Sequence, residues 1–299
     1  MSSFHDRPVS EFLSLLKPHL PYSLPVLRRI QFNENIARCK PPHAHLLLAP
    51  PVDRYPHHFA AAYVDLSRGL ETQVWLYSTI EDTFSSSADE LCHCDSQIIA
   101  LLGDIGAIQQ KHDAKNVGST TPSSPWVLFG SLNEVIRLRM LAHGVRMSKS
   151  PNVPDDLEWE FCDKWVFRLQ DLNPGEGLKE GMSWDRIRRE DVKFVQSRTT
   201  ISRTEETLLR IPSVVVRSED GTPVAWGFMG YDGTLMTLYV EEPYRRMGLA
   251  KAVACKVMQD HLASYGDDGW GAADVLVHND KSQALCKSIG GVNKWKLSW

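Results

Sequence analysis

The sequence lacks several features that would place it in other classes of protein. Its six cysteines include no Cys-x-x-Cys pair, so they do not outline a small disulfide scaffold, and they favour a reducing compartment. No uninterrupted apolar run is long enough to cross a membrane. The first residues have neither the apolar core of a signal peptide nor the arginine-rich pattern of a transit peptide. We therefore predict a cytoplasmic protein without a membrane partner.

An excess of positive charge is also missing. The net charge is −4 and no strongly basic patch stands out, which argues against nucleic acid as a partner. Cys92, His93 and Cys94 are metal-ligand types, but no spacing matches a closed four-ligand zinc site, so no metal is predicted. The 299 residues are 42% hydrophobic, which is enough for one large or two ordinary domains.

The order of predicted helices and strands gives two α/β halves. In the first half, two helices precede three short strands and a helix from about Ala88 to Gln110. Residues 146–156 are poor in apolar side chains and contain Pro151 and Pro154, which disfavour helix before them. We therefore predict an N-terminal domain over 1–145, a linker over 146–156 and a second domain over 157–299.

The second half alternates between strand and helix patterns. Strands are predicted at 165–169, 211–217, 224–231, 234–240 and 273–277, and helices at 184–197, 203–210, 251–262 and 281–288. Turn signals at Ser218–Gly221 and Asp232–Gly233 separate three successive strands, which predicts two hairpins.

One turn between a strand and a helix carries the strongest functional signal. It runs from Leu238, Tyr239 and Val240, at the end of a strand, to Lys251, at the start of a helix. The backbone N–H groups of a first helical turn have no partner within the helix and favour an anion. Gly248 keeps a side chain out of the way of such an anion. Basic residues in the same turn would add charge, so we predict an anion site.

These residues resemble a known family. Arg245-x-x-Gly248-x-Ala250 after a strand is similar to the (Gln/Arg)-x-x-Gly-x-(Gly/Ala) signature of the GNAT acyltransferase superfamily. The segments Ile211–Ser213 and Gly221–Trp226 resemble the glycine N-acyltransferase branch. Val277-His278-Asn279 looks like the end of the superfamily's fifth strand. The resemblance covers about residues 160–299.

The resemblance implies a fold and a co-substrate. It implies a mixed, largely antiparallel sheet flanked by helices in the second half, and it allows the first half to be a degenerate copy. It also implies acetyl-coenzyme A or another acyl-coenzyme A, with a backbone N–H of Val240 or its neighbour polarising the thioester carbonyl. The residues that would bind the co-substrate are Leu238, Tyr239, Val240, Arg245, Arg246, Met247, Gly248, Leu249, Ala250, Lys251 and Asn279.

The catalytic positions depart from the family pattern. Thr234 occupies the position of the glutamate thought to act as base in glycine N-acyltransferases, and threonine cannot take that role. Glu241, with its neighbour Glu242, and His278 are the alternative candidates for the base. Cys286 occupies the position of the tyrosine that often protonates the leaving thiolate, although packing is the simpler role for a helical cysteine.

Three functions remain open at this point. The first is acyl transfer to the amine of a small molecule or amino acid, and the second is acetylation of a peptide or protein. The third is a catalytically inactive protein that binds coenzyme A, which the residues at positions 234 and 286 make credible. The sequence does not identify the acceptor, the acyl chain or the oligomeric state.

Overall fold

In the computed structural model the chain divides into two compact units. The structure describes residues 8–37, 41–69, 71–82, 87–115, 126–148, 161–199, 201 and 203–299. Unit 1 comprises Met1–Asn33, Cys39–Glu160 and Lys296–Trp299, and unit 2 comprises Glu34–Arg38 and Phe161–Trp295. Most of the predicted linker, from residue 149 onward, lies outside the described residues, so its position stays a prediction.

Unit 1 contains a small antiparallel sheet between two helical layers. Its elements are α1 (Val9–Leu16), α2 (Leu24–Gln31), β1 (Ala44–Ala49), β2 (Ala60–Asp65), β3 (Val74–Ser78), α3 (Ala88–Lys115), β4 (Leu132–Asn133) and α4 (Glu134–Ala142). The strand order is β1-β2-β3. All six residues of β2 are buried, because α1 and α2 pack on one face of the sheet and α3 packs on the other.

A parallel bridge extends this sheet after α3. Phe129 bridges Val74 of β3 in parallel, and the N–H of Gly130 donates to the carbonyl of Val74 at 2.8 Å. Unit 1 therefore follows the order of three antiparallel strands, a helix, a parallel segment and a helix.

Helix α3 is the one described helix with the length and composition of a membrane span. It has 28 residues, and the mean hydropathy of its most apolar 18-residue window is 1.3. This helix does not appear in the sequence as an uninterrupted apolar run, because polar residues interrupt its apolar stretch. Buried residues along α3, including Ile98, Leu101 and Ile105, belong to the core cluster that contains β2 and β3. Packing on the sheet thus accounts for its apolar side.

Unit 2 contains a larger, mixed sheet. Its elements are β5 (Phe161–Arg168), β6 (Ser183–Asp185), α5 (Val192–Gln196), α6 (Glu205–Arg210), β7 (Ser213–Arg217), β8 (Pro223–Met229), β9 (Thr234–Val240), α7 (Leu249–Tyr265), β10 (Trp270–Leu276), α8 (Asp280–Ser288) and the first part of β11 (Val292–Ser298), whose residues from Lys296 onward belong to unit 1. The strand order is β11-β5-β10-β9-β8-β7-β6. The described pairings are antiparallel except for that between β9 and β10.

The expected fold class is confirmed, with one error in the elements of unit 2. Gly221 and Gly233 adopt the left-handed φ values of +84° and +68° that the two predicted hairpin turns require. The helix predicted over 184–197 is wrong at its start, because Ser183–Asp185 pairs with β7 as an edge strand. Only Val192–Gln196 of that range is α-helical.

Both units share one order of elements. In unit 2, β7, β8 and β9 are antiparallel, α7 follows, β10 returns parallel to β9, and α8 comes next. Unit 1 runs through β1, β2, β3, α3, the parallel bridge at Phe129 and α4. This repetition confirms the expectation that the first half is a second copy of the fold.

Candidate active site

The sheet of unit 2 opens between β9 and β10. The two strands pair only at Thr234 with Ala272 and at Leu235 with Ala273. Beyond these pairs, β9 continues to Val240 and β10 to Leu276 without further pairing. Backbone groups along the unpaired edges are therefore available to a ligand, because an unpaired strand edge presents N–H and C=O groups. We call this opening the strand gap.

A bulge in β9 accompanies the opening. Thr237 adopts a left-handed φ of +51°, and the register between β8 and β9 shifts between Trp226 and Phe228. An extra residue of this kind bends a strand and increases its twist. The bulge thus lies beside the point where β9 leaves β10.

One backbone N–H of β9 is directed into the strand gap. The N–H of Glu241 donates to the carbonyl of Val224 on β8 at 2.9 Å. Successive N–H groups of an extended strand point to opposite sides, so the N–H of Val240 points away from β8. The sequence-based choice of Val240 as the donor to a thioester carbonyl therefore agrees with the direction of its N–H.

The turn after β9 exposes a run of backbone N–H groups. Arg246 and Gly248 have left-handed φ values of +62° and +79°, and Gly248 is the N-cap of α7. The first helical hydrogen bond is donated by Ala252 to the carbonyl of Gly248. Within the described chain, the N–H groups from Arg246 to Lys251 therefore have no protein acceptor. Such a run at a helix N-terminus suits an anion.

The side chains of this turn divide into three groups. Arg245 turns back towards β9, where its Nε donates to the carbonyl of Val240 at 3.1 Å and its guanidinium lies 5.6 Å from the ring centroid of Tyr239. Arg246 is exposed, and no ion pair to it occurs within the described residues. Lys251 packs its aliphatic stem beside Gly175. Arg246 and Lys251 are thus the cations nearest in sequence to the N–H groups.

The apolar residues of the turn fix it to unit 2. Leu249 is buried, and Leu238, Val240 and Met247 pack against the core cluster that includes Val253 of α7. Ala250 is half-buried in the first turn of the helix. These contacts hold the N–H groups in place before any ligand binds.

The two faces of the sheet can be separated by their contacts. A Cβ at Gly271 would lie 3.0 Å from Leu262 of α7, so Gly271 faces α7. A Cβ at Gly227 would approach Val253 of α7 at 3.0 Å and Leu235 at 3.7 Å, so Gly227 and Leu235 face α7 too. Because side chains alternate along a strand, Thr234 lies on the opposite face.

Aromatic side chains cover part of that opposite face. Tyr239 stacks on Trp226 at a centroid distance of 5.2 Å, and Trp226 meets Phe194 of α5 at 5.7 Å. Trp226 is fully buried, and its Nε1 has no hydrogen-bond partner within the described chain. Thr234 is 6% exposed, and its Oγ1 is also without such a partner among the described residues. Both polar atoms are thus buried without a partner among the described residues, which is unusual for polar groups in a folded protein.

The candidate base Glu241 is held in an ion pair. Its Oε1 lies 2.8 Å from Nε of Arg198 and its Oε2 lies 3.5 Å from the same guanidinium. The hydrogen bond that Arg198 donates to Glu241 raises the pKa of Arg198, which keeps the guanidinium charged. The neighbouring Glu242 is exposed in the turn. The role of Glu241 as the base stays a prediction.

The residues after β10 lie at the other side of the strand gap. His278 is exposed in the turn between β10 and α8. Asn279 is the N-cap of α8, and its Oδ1 accepts from the N–H of Ser282 at 3.1 Å. This cap accounts for the asparagine structurally, so a direct contact of Asn279 with a ligand stays a prediction, as does the role of His278.

The thiol of Cys286 is buried in α8. It is 3% exposed, and burial raises its pKa to about 12. A thiol with such a pKa is a weaker acid than an ordinary thiol. The packing role considered from the sequence is the one that this environment favours.

The structure adds one charged pair that the sequence analysis missed. Asp274 of β10 and Lys164 of β5 are cross-strand neighbours, and Lys164 Nζ lies 2.6 Å from Asp274 Oδ1. The two side chains are 6% and 0% exposed. Asp274 is three residues from Gly271 and therefore lies on the face opposite α7. A single carboxylate inside the apolar run Ala272–Val277 was the signal that could have revealed it.

Three further groups among the described residues were candidates for another site. No cluster of three His, Cys, Asp or Glu side chains within the described residues could hold a metal ion. In unit 1, Cys94 Sγ lies 3.6 Å from His58 Nδ1, but burial raises the pKa of this thiol to about 11. A cavity of about 940 Å³ in unit 2 is lined by Arg186, Arg188, Arg189 and Arg210. Carboxylates already pair with Arg188 and Arg189 at 2.7 Å each.

Comparisons with protein families and solved structures agree with this geometry. The model of the acyl-CoA N-acyltransferase verG N-terminal domain matches residues 2–154, more than half of the chain. The model of FR47-like protein matches residues 215–299. No curated protein matches the sequence significantly.

Two solved structures resemble most of the chain. An X-ray structure of a Drosophila protein, a structural genomics target, is 17% identical with a TM-score of 0.64, over 97% of this chain and 94% of that one. A GCN5-related N-acetyltransferase from Kribbella flavida is 12% identical with a TM-score of 0.52, over 91% of this chain and 94% of that one. At these identities the likeness concerns the fold, and it extends over both halves.

Proposed function

This chain belongs to the GNAT acyltransferase superfamily, through the acyl-CoA N-acyltransferase family that its first half matches, and we propose that it transfers an acyl group from a coenzyme A thioester directly to the amine of a small molecule or amino acid. The observation that carries the proposal is the run of N–H groups from Arg246 to Lys251 beside the strand gap. An anion site next to an unpaired strand edge fits a molecule with a phosphate at one end and an extended amide-containing arm.

The diphosphate of coenzyme A fits the N–H groups of the turn. Six consecutive donors, the N-terminal end of the α7 dipole and the side chains of Arg246 and Lys251 would surround it. Gly248 leaves the approach open, because no heavy atom lies within 4 Å of a Cβ built there.

The arm of the thioester would lie along the strand gap. The free edge of β9 offers backbone groups to its amides, and the N–H of Val240 would donate to the thioester carbonyl. A donor fixed in advance stabilises the negative charge that develops on this oxygen, and losing one such donor typically costs about a hundredfold or more in rate.

The acceptor amine would approach from the face of the sheet opposite α7. The turn between β9 and α7, where the diphosphate would bind, leads to the other face. Its nitrogen attacks the thioester carbon, the C–N bond forms, and the C–S bond breaks. Burial keeps the thiol of Cys286 protonated, with a pKa of about 12. We therefore propose that the thiolate of coenzyme A leaves without a proton from Cys286.

Thermal denaturation with coenzyme A derivatives tests the proposal. Acetyl-, butyryl- and benzoyl-coenzyme A should raise the midpoint of the purified chain, since a ligand of the native state stabilises it. Free pantetheine should give a smaller shift, because it lacks the diphosphate. The acyl ranking then directs assays of thiol release with amines. Absence of a shift with every thioester would contradict the proposal, and binding without thiol release from any amine would favour an inactive coenzyme A-binding protein.

A further inference from the structure

We propose that Asp274 is the catalytic base that accepts the proton of the acceptor amine, with the hydroxyl of Thr234 lining the same acceptor site. The inference rests on the proposed function and assigns a residue that the sequence comparison left open.

Thr234 and Asp274 lie close together across the strand gap. Thr234 pairs in parallel with Ala272, and Asp274 is two residues further along β10 on the same face. Adjacent strands are about 4.8 Å apart and two residues advance about 6.6 Å, so the two Cα atoms are separated by roughly 8 Å. A carboxylate on β10 can therefore reach the region that a longer side chain at position 234 would occupy.

Asp274 is also the first residue of β10 beyond the last pair with β9. The pairing ends at Leu235 and Ala273. The carboxylate thus lies where the strand gap opens, on the face from which the amine approaches. Glu241 instead follows the far end of β9, well beyond the last pair with β10.

Asp274 is held in a buried ion pair. Lys164 Nζ lies 2.6 Å from Asp274 Oδ1, and both side chains are almost fully buried. Buried ion pairs contribute little net stability compared with apolar pairs, so a buried charged pair at the edge of a cleft is a candidate for a functional role.

The buried hydroxyl of Thr234 provides an independent observation. Its Oγ1 is without a hydrogen-bond partner within the described chain although the residue is 6% exposed. A buried polar group without a partner is destabilising. A bound amine that hydrogen-bonds to this oxygen would remove that cost and would be held near Asp274.

The proton balance of the step is complete. The amine nitrogen forms the C–N bond and becomes positively charged, the C–S bond breaks, and the electron pair leaves on sulfur. The nitrogen's proton moves to a carboxylate oxygen of Asp274 and then, through solvent, to the thiolate. The products are the amide and free coenzyme A, and the carboxylate is restored.

The experiment compares variants of the full chain with acetyl- and benzoyl-coenzyme A and a panel of glycine, glutamine, tryptamine and a lysine-containing peptide. We expect Asp274→Asn to lower kcat by about a hundredfold or more, with less than a threefold change in KM for the thioester. Asp163→Asn is the matched control, because Asp163 is the next residue to Lys164, is buried, and lies on the α7 face. It should keep wild-type turnover.

A pH–rate profile separates a base from a structural role. The pH–rate profile of Asp274→Asn should differ in shape from that of the wild type, whereas loss of a structural role would lower the rate at every pH alike. Asp274→Glu, which keeps a carboxylate, should restore part of the wild-type rate and profile. Thr234→Val should raise KM for the amine more than it changes kcat.

A double variant distinguishes loss of the catalytic base from misfolding. Lys164→Met with Asp274→Leu replaces the buried pair by apolar side chains, which proteins often tolerate. It should keep the midpoint shift with thioester but give no turnover. Near wild-type kcat and an unchanged pH profile in Asp274→Asn would overturn the assignment alone. A wild-type chain that releases thiol with no amine of the panel would overturn both this assignment and the proposed function.

Discussion

The two units repeat one order of strands and helices, but the described residues after the third strand of that order differ between them. In unit 2, β9 is followed by a turn with Arg246 and Gly248 in left-handed conformations and by N–H groups without a protein acceptor. In unit 1, β3 ends in a capping box, in which Ser78 and Glu81 exchange side-chain and backbone hydrogen bonds. The same topology therefore supports two different turns.

The start of the helix that follows the turn also differs between the two units. The start of α3 is closed by its own side chains, since the N–H of Ser87 donates to Glu90 Oε2 at 2.7 Å and the N–H of Glu90 donates to Ser87 Oγ at 3.3 Å. Asp89 and Glu90 place negative charge there, which would repel an anion. The residues of the turn, and not the order of the strands, therefore decide whether the backbone N–H groups stay free for an anion.

Blocking the turn of unit 2 should have the largest effect. Gly248→Trp should lower the affinity for acetyl-coenzyme A by about a hundredfold or more, because hydrogen bonds to a charged group contribute about 1.5–3 kcal/mol each and the indole would cover several donors. Isothermal titration measures the change. Gly221→Trp is the control, since Gly221 also has a positive φ and no heavy atom lies within 4 Å of its Cβ position. An equal loss in both variants would mean that backbone strain is the cause.

Alkaline pH should test the buried thiols of both units. Burial raises the pKa of Cys94 in unit 1 and of Cys255 in unit 2 to about 11, and that of Cys286 in unit 2 to about 12. The unfolded chain loses these protons near pH 9 while the folded chain keeps them. The thiols therefore stabilise the fold below about pH 9, and this stability is lost as pH rises towards 11–12, by up to about 1.4 kcal/mol per pH unit and thiol.

Denaturant unfolding at pH 8 and pH 10.5 measures this loss. Cys286→Ala should lessen the dependence on pH, and its kcat at neutral pH should stay within about twofold of wild type. The assignment of Cys286 to packing would be refuted by a kcat that falls by an order of magnitude while acetyl-coenzyme A still binds.

Charge reversal in the turn should have a smaller effect than blocking it. Arg246→Glu should lower the affinity for acetyl-coenzyme A by about tenfold at low salt, and by less at high salt, because exposed charges are screened. Arg54→Glu makes the same change on the surface of unit 1, where the guanidinium pairs with Asp89, and should leave binding unchanged. Equal losses in the two variants would indicate an effect of overall charge.

Removing the helix cap of unit 1 should have the smallest effect. Ser87→Ala should lower the free energy of unfolding by about 1 kcal/mol, which is typical for the loss of an N-cap hydroxyl, without changing affinity for acetyl-coenzyme A. Thr204→Ala removes the cap of α6, where Thr204 Oγ1 accepts from the N–H of Thr207 at 3.1 Å, and provides the matching value in unit 2. A change in cofactor affinity for Ser87→Ala would show that unit 1 influences the anion site.

Patterns local in the chain were predictable. The strand, turn and helix around Gly248 depend on neighbouring residues, as do the hairpin turns at Gly221 and Gly233, and the structure contains all three. The start of the helix predicted over 184–197 failed because Trp184 pairs with Val216, which is more than thirty residues away. A contact at that separation leaves no periodic signal in the segment itself.

The candidate catalytic bases likewise have partners that only the structure reveals. Glu241 and His278 were chosen because they lie near strand ends in the sequence, yet Glu241 meets Arg198, which is 43 residues away. The ion pair of Asp274 is visible only in the structure, because its partner Lys164 on β5 lies 110 residues earlier in the chain. The polarity of a residue is visible in the sequence, but its partner is not.

The sequence by itself determined the order of the elements, the glycine-containing turn and the family resemblance, because each depends on residues adjacent in the chain. Only the tertiary structure decided that β9 and β10 separate after two pairs, that Asp274 lies on the face opposite α7, and that Cys286 is buried. These features arise from strand pairing and helix packing between distant segments. Their energies depend on which surfaces meet, and local patterns do not specify that.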